Sequence, residues 1–203
     1  MNGTNIGWVD GNTYEEFDPE LGEFEAKMPA GQYATMHRGC LVVACKDILY
    51  VSKPHKPEIV DERYCMFPMA GYIRMLGGVN TGMWVGTEKG IGFIKGNHVD
   101  NYEYDSMTDH PCPDGAFLLT TEEKEEKVDN LVAWISVEGF CQGRENGTYQ
   151  THSHPNMALP TGSSGVLYER FNNGIRQYVA VVHQPEAQRR HTDADIAVNT
   201  VTV

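Results

Sequence analysis

Basic residues are scarce in this chain, which has 16 Lys and Arg against 28 Asp and Glu and a formal net charge of −12. Nucleic-acid-binding surfaces gain affinity from Lys and Arg side chains that displace counterions from the phosphates. The charge therefore argues against a free surface for DNA or RNA. It also fits ordinary solubility, which requires no partner.

Long apolar runs and a secretory leader are missing as well. No segment approaches the length of a membrane-spanning helix, and residues 1–6 contain neither a basic region nor an apolar run. We therefore expect no membrane insertion, and we expect synthesis and folding in a cytoplasm. The cysteines are odd in number and have no metal-type spacing, which predicts reduced core residues. They are Cys40, Cys45, Cys65, Cys112 and Cys141.

Helical patterns are also nearly absent. Only Thr120 to Val128 has a helical composition, and because it has no apolar face we expect a solvated turn of helix there. Frequent turns are indicated by 21 Gly and 10 Pro, while 20 aromatic residues supply large side chains for sheets. The chain is predicted to be a single all-β domain over residues 1–203. Residues 1–32 form an irregular N-terminal segment in this prediction, and residues 184–203 form a tail that adds an edge strand or pairs with a neighbouring chain.

A repeated hairpin organises the chain. Residues 82–96 read as strand, glycine-bearing turn and strand, and a similar pattern occurs 43 positions earlier, at residues 39–51. A weaker copy places Trp134 at the position of Trp84, and an abbreviated copy occupies residues 6–14. Periods of 40 to 50 residues that hold several short strands are typical of radial arrays. We predict a β-propeller-like array of three to four units of short antiparallel sheets, with a β-sandwich as the alternative.

Four further elements can be placed on the chain. Asn173-Gly174, between two apolar runs, is the strongest hairpin signal. Residues 72–76 are a plausible innermost strand, and the two prolines within residues 53–57 predict an exposed connection. The polar residues 98–113 predict an irregular rim loop with a surface role.

One group of histidines could bind a metal. His152 and His154 alternate on one strand and His183 follows later, which is a spacing that a cupin-type enzyme uses. The motif of such an enzyme requires a glutamate four or five positions after the second histidine, where this chain has Ala158 and Leu159. We therefore expect no catalytic, cofactor-binding or metal-binding residue and no enzymatic activity.

Two other catalytic patterns have little support. Residues 162–165 lack the symmetry of a nucleophile elbow, and the glycines of residues 86–92 lie inside a hairpin rather than at the start of a helix. No P-loop or dinucleotide-binding motif is present. Hydrolase and nucleotide-binding functions are therefore not indicated.

Several glycine-aromatic motifs resemble those of bacteriophage tail structural proteins, and together they cover residues 33–183. They are His37–Ala44, Ile48–Ser52, Gly82–Gly96, Ala133–Ser136, Glu138–Gly143, Glu145–Thr148 and Gly174–Ala180. The resemblance implies a β-propeller-like virion protein of the hub or nozzle type, without catalytic residues. It also implies a homo-oligomeric ring around the DNA exit channel, in contact with other tail proteins and assembled in the host cytoplasm.

This leading hypothesis gives the acidic surface a role, because DNA can pass over it during ejection without binding specifically. Proteins of this group are usually longer, and the few repeat units predict a ring that is small or incomplete within one chain. A β-rich binding module is the second hypothesis, in which residues 98–113 recognise a protein or a carbohydrate. A cupin-like, metal-dependent enzyme is the third.

Overall fold

The computed structural model describes residues 7–10, 13–16, 20–124, 127–152, 159–160, 162–183 and 197–202. Within these ranges the regular structure is β, apart from one short 3-10 turn, η1 (Val99–Asn101). The all-β prediction is therefore confirmed. Among these residues there is no helix with the length and apolar character needed to cross a membrane.

The strands form a small hairpin and four larger antiparallel sheets. The hairpin pairs β1 (Gly7–Asp10) with β2 (Thr13–Glu16). The first sheet contains β3 (Glu25–Lys27), β4 (Tyr33–His37), β5 (Cys40–Cys45), β6 (Ile48–Lys53), β7 (Lys56–Asp61) and β8 (Met66–Pro68). Its order is β3-β7-β6-β5-β4, with β8 also paired to β6.

The next three sheets are simple meanders. The second sheet contains β9 (Ile73–Val79), β10 (Gly82–Thr87), β11 (Gly90–Lys95) and β12 (Glu103–Thr108). The third contains β13 (Phe117–Lys124), β14 (Lys127–Ser136), β15 (Gly139–Gly143) and β16 (Tyr149–Thr151). The fourth contains β17 (Ser164–Asn172), β18 (Ile175–His183) and β19 (Ala197–Thr202). Successive four-stranded meanders of this kind are the units of propeller-like arrays.

Consecutive sheets pack face to face through three buried apolar clusters, which we call the first, second and third interfaces. The first interface joins the first and second sheets and includes Val42, Leu49, Val51, Met83, Val85 and Ile94. The second joins the second and third sheets and includes Met75, Trp84, Phe93, Val132, Trp134 and Cys141. The third joins the third and fourth sheets and includes Ala133, Ile135, Phe140, Leu167, Tyr178 and Ala180. The sheets are thus connected in series.

Strand β10 shows why an inner strand of this series is buried at every position. All six of its residues are buried. Met83 and Val85 point into the first interface and Trp84 points into the second, because successive side chains of a strand face opposite sides of the sheet. The consecutive apolar residues of β5 have the same origin, and the prediction that both of its faces are covered is confirmed by its buried centre.

Strands β4, β9 and β17, from the first, second and fourth sheets, meet at one loop that precedes β13. The Tyr33 hydroxyl donates to Asp114 Oδ1 at 2.6 Å, and the Gly115 amide donates to the Arg74 carbonyl at 3.2 Å. At the start of the fourth sheet, the Asp114 amide donates to the Ser163 carbonyl at 2.9 Å. The Asp114 carbonyl accepts from the Gly165 amide at 2.8 Å. Burial, together with the Asp114 carboxylate, raises the pKa of Tyr33, so its hydroxyl remains a donor. The loop therefore ties strands from the first, second and fourth sheets to the start of the third.

The repeated hairpin is confirmed, but the alignment read from the sequence is wrong by one residue. Thr87 and Cys45 are the last paired residues before their two-residue turns, which aligns the hairpins at 42 positions rather than 43. Ser136 holds the same place in the third sheet, 49 positions after Thr87. Trp134 therefore corresponds to Val85 and not to Trp84. Both tryptophans are fully buried as predicted, but they face each other across the second interface.

The helical turn predicted for Thr120 to Val128 is wrong, because the described part of this segment lies in β13 and β14. The strands pair from Phe117 opposite Trp134 to Lys124 opposite Lys127. Leu118 packs against the third interface, and Thr120 Oγ1 donates to Glu169 at 2.6 Å. Pairing with a neighbouring strand and contacts with the fourth sheet outweigh the weak helical preference of the composition.

Two predicted connections also contain strands. Residues 98–113 include η1 and the outer strand β12, so only part of this stretch is a loop. Pro57 lies in β7, where the pairing with β6 shifts register between Ser52 and Lys53, and an irregular pairing of this kind tolerates the missing amide of proline. Residues 72–76 largely coincide with β9, which contacts β4 of the first sheet and β13 and β14 of the third, as expected of an innermost strand.

The two ends of the chain are more regular than predicted. The segment 1–32 holds β1, β2 and β3, although residues 1–6, 11–12 and 17–19 lie outside the described residues. The tail contains β19, which pairs with β18 of the same chain, from Gln177 opposite Thr202 to Val182 opposite Ala197. Of the two alternatives for the tail, the structure has the added edge strand. The Asn173-Gly174 turn is confirmed between β17 and β18, with φ of 51° and 77°.

Candidate functional site

A cleft opens where the first interface reaches the outer strands of the first sheet. Its volume is about 420 Å³, and it lies between β6, the turn after β7, and the η1 turn of the second sheet. It is lined by Val51, Ser52, Lys53, Pro54, Asp61, Tyr64, Cys65, His98 and Asp100. Ligand sites in proteins have volumes of roughly 300 to 1,000 Å³ and combine apolar walls with a few polar groups. We call this space the outer cleft.

Asp61 is held in a fixed position at the end of β7. The Arg63 guanidinium donates to both carboxylate oxygens of Asp61, from Nη2 at 2.9 Å and from Nε at 3.1 Å. These hydrogen bonds hold the pKa of Asp61 below its usual value. The Asp61 carbonyl accepts from the Cys65 amide at 2.9 Å, which closes the turn that carries Tyr64. The cleft therefore contains a carboxylate that stays ionised and a turn of defined shape.

One ion pair and one histidine–carboxylate contact border the outer cleft. Lys53 forms an ion pair with Glu25, whose Oε2 also accepts from the Gly22 amide at 2.8 Å. On the opposite wall, His98 Nδ1 lies 2.9 Å from Asp100 Oδ2. His98 and Asp100 are exposed, and exposed pairs contribute little to stability, whereas Lys53 and Glu25 are half-buried. Both contacts fix the orientation of donors and acceptors.

An aromatic platform forms the rim of the outer cleft. The Arg63 guanidinium carbon lies 4.1 Å from the ring centroid of Phe24 and 5.1 Å from that of Tyr64, within the range of cation–π attraction. The Tyr64 side chain is nevertheless 62% exposed, and Phe24 is exposed as well. A planar side chain that is oriented by its neighbours but open to solvent is available for stacking against a ligand.

The cysteines do not provide a nucleophile for this cleft. All five are free thiols; Cys45 is half-buried and the other four are buried. Burial raises the pKa of Cys65 and raises that of Cys112 to about 12, so both thiols stay protonated at neutral pH. The thiol of Cys65, which lines the outer cleft, is therefore not a nucleophile.

The histidines considered as metal ligands lie elsewhere. His152 follows β16 with its ring centroid 5.8 Å from that of Phe140, and burial lowers the pKa of His152. His183 is the last residue of β18, while His154 lies outside the described residues. In the described part of the chain, no group of three or more His, Cys, Asp or Glu residues is placed to hold a metal ion. In the segment 162–165, the Ser163 hydroxyl donates to the Pro160 carbonyl at 2.6 Å.

A second surface of interest is the outer face of the fourth sheet. Leu167, Tyr178 and Ala180 point into the third interface, and the alternate residues of β17 and β18 point away from it. Two of these outward residues, Val166 and Tyr168, are exposed although apolar, and Val166 is 59% exposed. Among the described side chains no apolar cluster lies on this face, although Val179, which also points away from the third interface, is only 2% exposed.

Sequence reasoning missed Phe24, Asp61 and Tyr64. The stretch from Asp61 to Cys65 carries turn-forming polar residues, which is a weak local signal. Nothing in the sequence connects it with His98, which reaches the cleft only because the first and second sheets pack together. Residues 98–113 were predicted to have a surface role, and two of them line the cleft. No family model and no curated protein matches the chain.

Proposed function

We propose that this chain is a structural protein of a bacteriophage tail, of the hub or nozzle type, that assembles with copies of itself and other tail proteins around the DNA exit channel. The tail assignment rests on the sequence motifs of residues 33–183. Assembly is supported by the arrangement of the sheets. The proposal concerns self-association and passage of DNA and requires no catalytic residue.

The observation that carries the assembly proposal is the open series of sheets. Three interfaces connect the four sheets in order, and no apolar cluster of the described side chains joins the first sheet to the fourth. In arrays of repeated units each terminal unit needs a cover for its outer face. The exposed Val166 and Tyr168 make the outer face of the fourth sheet the place where a second copy of the chain would supply that cover.

The charge supports the second part of the proposal. A formal net charge of −12 gives the surface the same sign as the DNA backbone. Like charges repel at the distances reached within a channel, and few cations are available to replace counterions on the phosphates. A ring of such chains would let DNA slide past without holding it.

Light scattering on the purified protein tests the assembly. We expect a defined oligomer for the native chain and a shift toward monomer for Val166→Glu, because a charge on the outer face opposes burial there. Val137→Glu is the matched control, since Val137 is 40% exposed in the turn between β14 and β15, away from that face. A native chain that is monomeric at high concentration, or equal effects of the two variants, contradicts the assembly proposal.

The tail assignment has a separate test. Mass spectrometry of purified virions, produced by the phage that encodes the chain, should detect it in the tail fraction. An oligomeric protein that is absent from virions would retain the assembly proposal and reject the tail assignment.

A further inference from the structure

We infer that the outer cleft is a binding site for a short neutral saccharide, with the Tyr64 ring stacked against the apolar face of one sugar ring. Asp61, His98 and Asp100 would hydrogen-bond its hydroxyl groups. The inference does not depend on the tail assignment, because it rests only on the chemistry of the cleft.

Tyr64 provides a flat apolar surface in the cleft. A sugar ring presents a face of C–H groups, and a flat aromatic side chain covers such a face well. Tyr64 lines the cleft and is 62% exposed, so its ring is accessible. Its turn is held by the bond from the Cys65 amide to the Asp61 carbonyl, and Arg63 lies between it and Phe24. Because Tyr64 is already held in place, a ligand loses little binding free energy in ordering it, and this favours affinity.

Polar side chains from β6, β7 and η1 supply both hydrogen-bond acceptors and donors to the cleft. Carboxylates are acceptors only, whereas a histidine ring supplies a donor. Asp61 and Asp100 therefore accept from hydroxyl groups, and Lys53 and His98 supply donors around the same space. Saccharides carry hydroxyl groups that both donate and accept, and they match this mixed set better than a purely apolar ligand does.

The charges of the cleft select a neutral ligand over an anionic one. Both cations at the cleft are already paired, Lys53 with Glu25 and Arg63 with Asp61. An anion would have to compete with these carboxylates and would also approach Asp100. Phosphorylated or uronate-containing ligands are therefore disfavoured by repulsion.

The size of the cleft limits the length of the ligand. A volume of about 420 Å³ lies in the lower part of the range for small-molecule sites, and the cleft is open to solvent on one side. A short saccharide fits inside, and a longer chain can continue outward over Phe24. The site is thus suited to the end of a glycan.

Saturation-transfer NMR with a panel of neutral disaccharides of glucose, galactose and N-acetylglucosamine tests the inference. We expect at least one of them to bind, with Tyr64→Ala weakening that binding by at least about tenfold, which is the order of one stacking contact. Tyr64→Phe keeps the ring and should bind within a factor of about three, while Asp61→Asn should weaken binding because an acceptor is lost. Tyr72→Ala is the matched control, since Tyr72 is an exposed tyrosine that does not line the cleft.

Two further probes separate the alternatives: a uronate-containing disaccharide and a short lysine peptide. Preference for either one over the neutral sugars overturns the inference, as does neutral-sugar binding that Tyr64→Ala leaves unchanged. Absence of binding by every neutral disaccharide at millimolar concentration also overturns it. Circular dichroism and melting curves of each variant show whether the fold is intact. We expect an intact fold for the Tyr64 variants, because Tyr64 is mostly exposed.

Discussion

The second interface and the outer cleft are two versions of the same gap between consecutive sheets. In the second interface the gap is filled, with the ring centroids of Trp84 and Trp134 5.2 Å apart and Tyr149 packed beside both. At the outer cleft the space between β6, the turn after β7 and η1 stays open, and charged side chains and Tyr64 line it. The comparison shows that large aromatic residues close a gap between sheets, whereas an irregular turn with polar side chains leaves a gap that can receive a ligand.

Close packing of the second interface also depends on a glycine. A Cβ atom on Gly143 would lie 2.4 Å from Cε2 of Trp84, so the indole lies directly against the backbone of β15. The Trp84 Nε1 donates to the Arg144 carbonyl at 3.1 Å, which orients the ring. At the outer cleft, by contrast, the Tyr64 side chain is open to solvent.

The largest expected effect comes from emptying the filled gap. Trp84→Ala should lower the free energy of unfolding by about 3 to 5 kcal/mol, because it removes a fully buried side chain and leaves a cavity. The matched truncation at the open gap, Tyr64→Ala, should change it by less than about 0.5 kcal/mol. Chemical denaturation measures both values. Similar losses of unfolding free energy for the two variants would show that the side chains in the filled gap and the open gap contribute equally to stability.

A smaller effect should follow from adding one carbon atom to the filled gap. Gly143→Ala should destabilise the protein by about 1 to 3 kcal/mol, because Trp84 is packed on all sides and cannot move away. Gly71→Ala is the control, since its nearest neighbour is the flexible, exposed side chain of Glu88, at 3.1 Å. Thermal unfolding compares the two alanine variants. A Gly143 variant as stable as the Gly71 variant would contradict the close approach.

The smallest effect separates the two tryptophans. Trp84→Phe and Trp134→Phe remove similar volumes, but only Trp84 loses a hydrogen bond, since Nε1 of Trp134 is buried without a partner among the described residues. Trp84→Phe should therefore cost about 0.5 to 1.5 kcal/mol more than Trp134→Phe. Urea denaturation of the two variants side by side measures the difference. Equal costs would show that the Arg144 carbonyl does not contribute to the stability of this interface.

Local chemistry made part of the fold predictable. The Asn173-Gly174 turn was visible because both residues adopt positive φ and few residue types do so easily. The strands of the repeated hairpin were visible because their apolar runs are bounded by turn formers. The strands around Thr120 were not, because their composition weakly favours a helix and their pairing partners decide their conformation.

The order of residues along the chain determines the class of the fold and the serial repetition of hairpins. It also determines the burial of Trp84 and Trp134. It does not determine which way each tryptophan faces, because strand side chains alternate and an alignment error of one residue turns a side chain to the opposite face. Only the packed sheets show that the two rings meet. The outer cleft is likewise a product of tertiary structure, since Tyr64 and His98 are brought together by the packing of two sheets that have no local signal for each other.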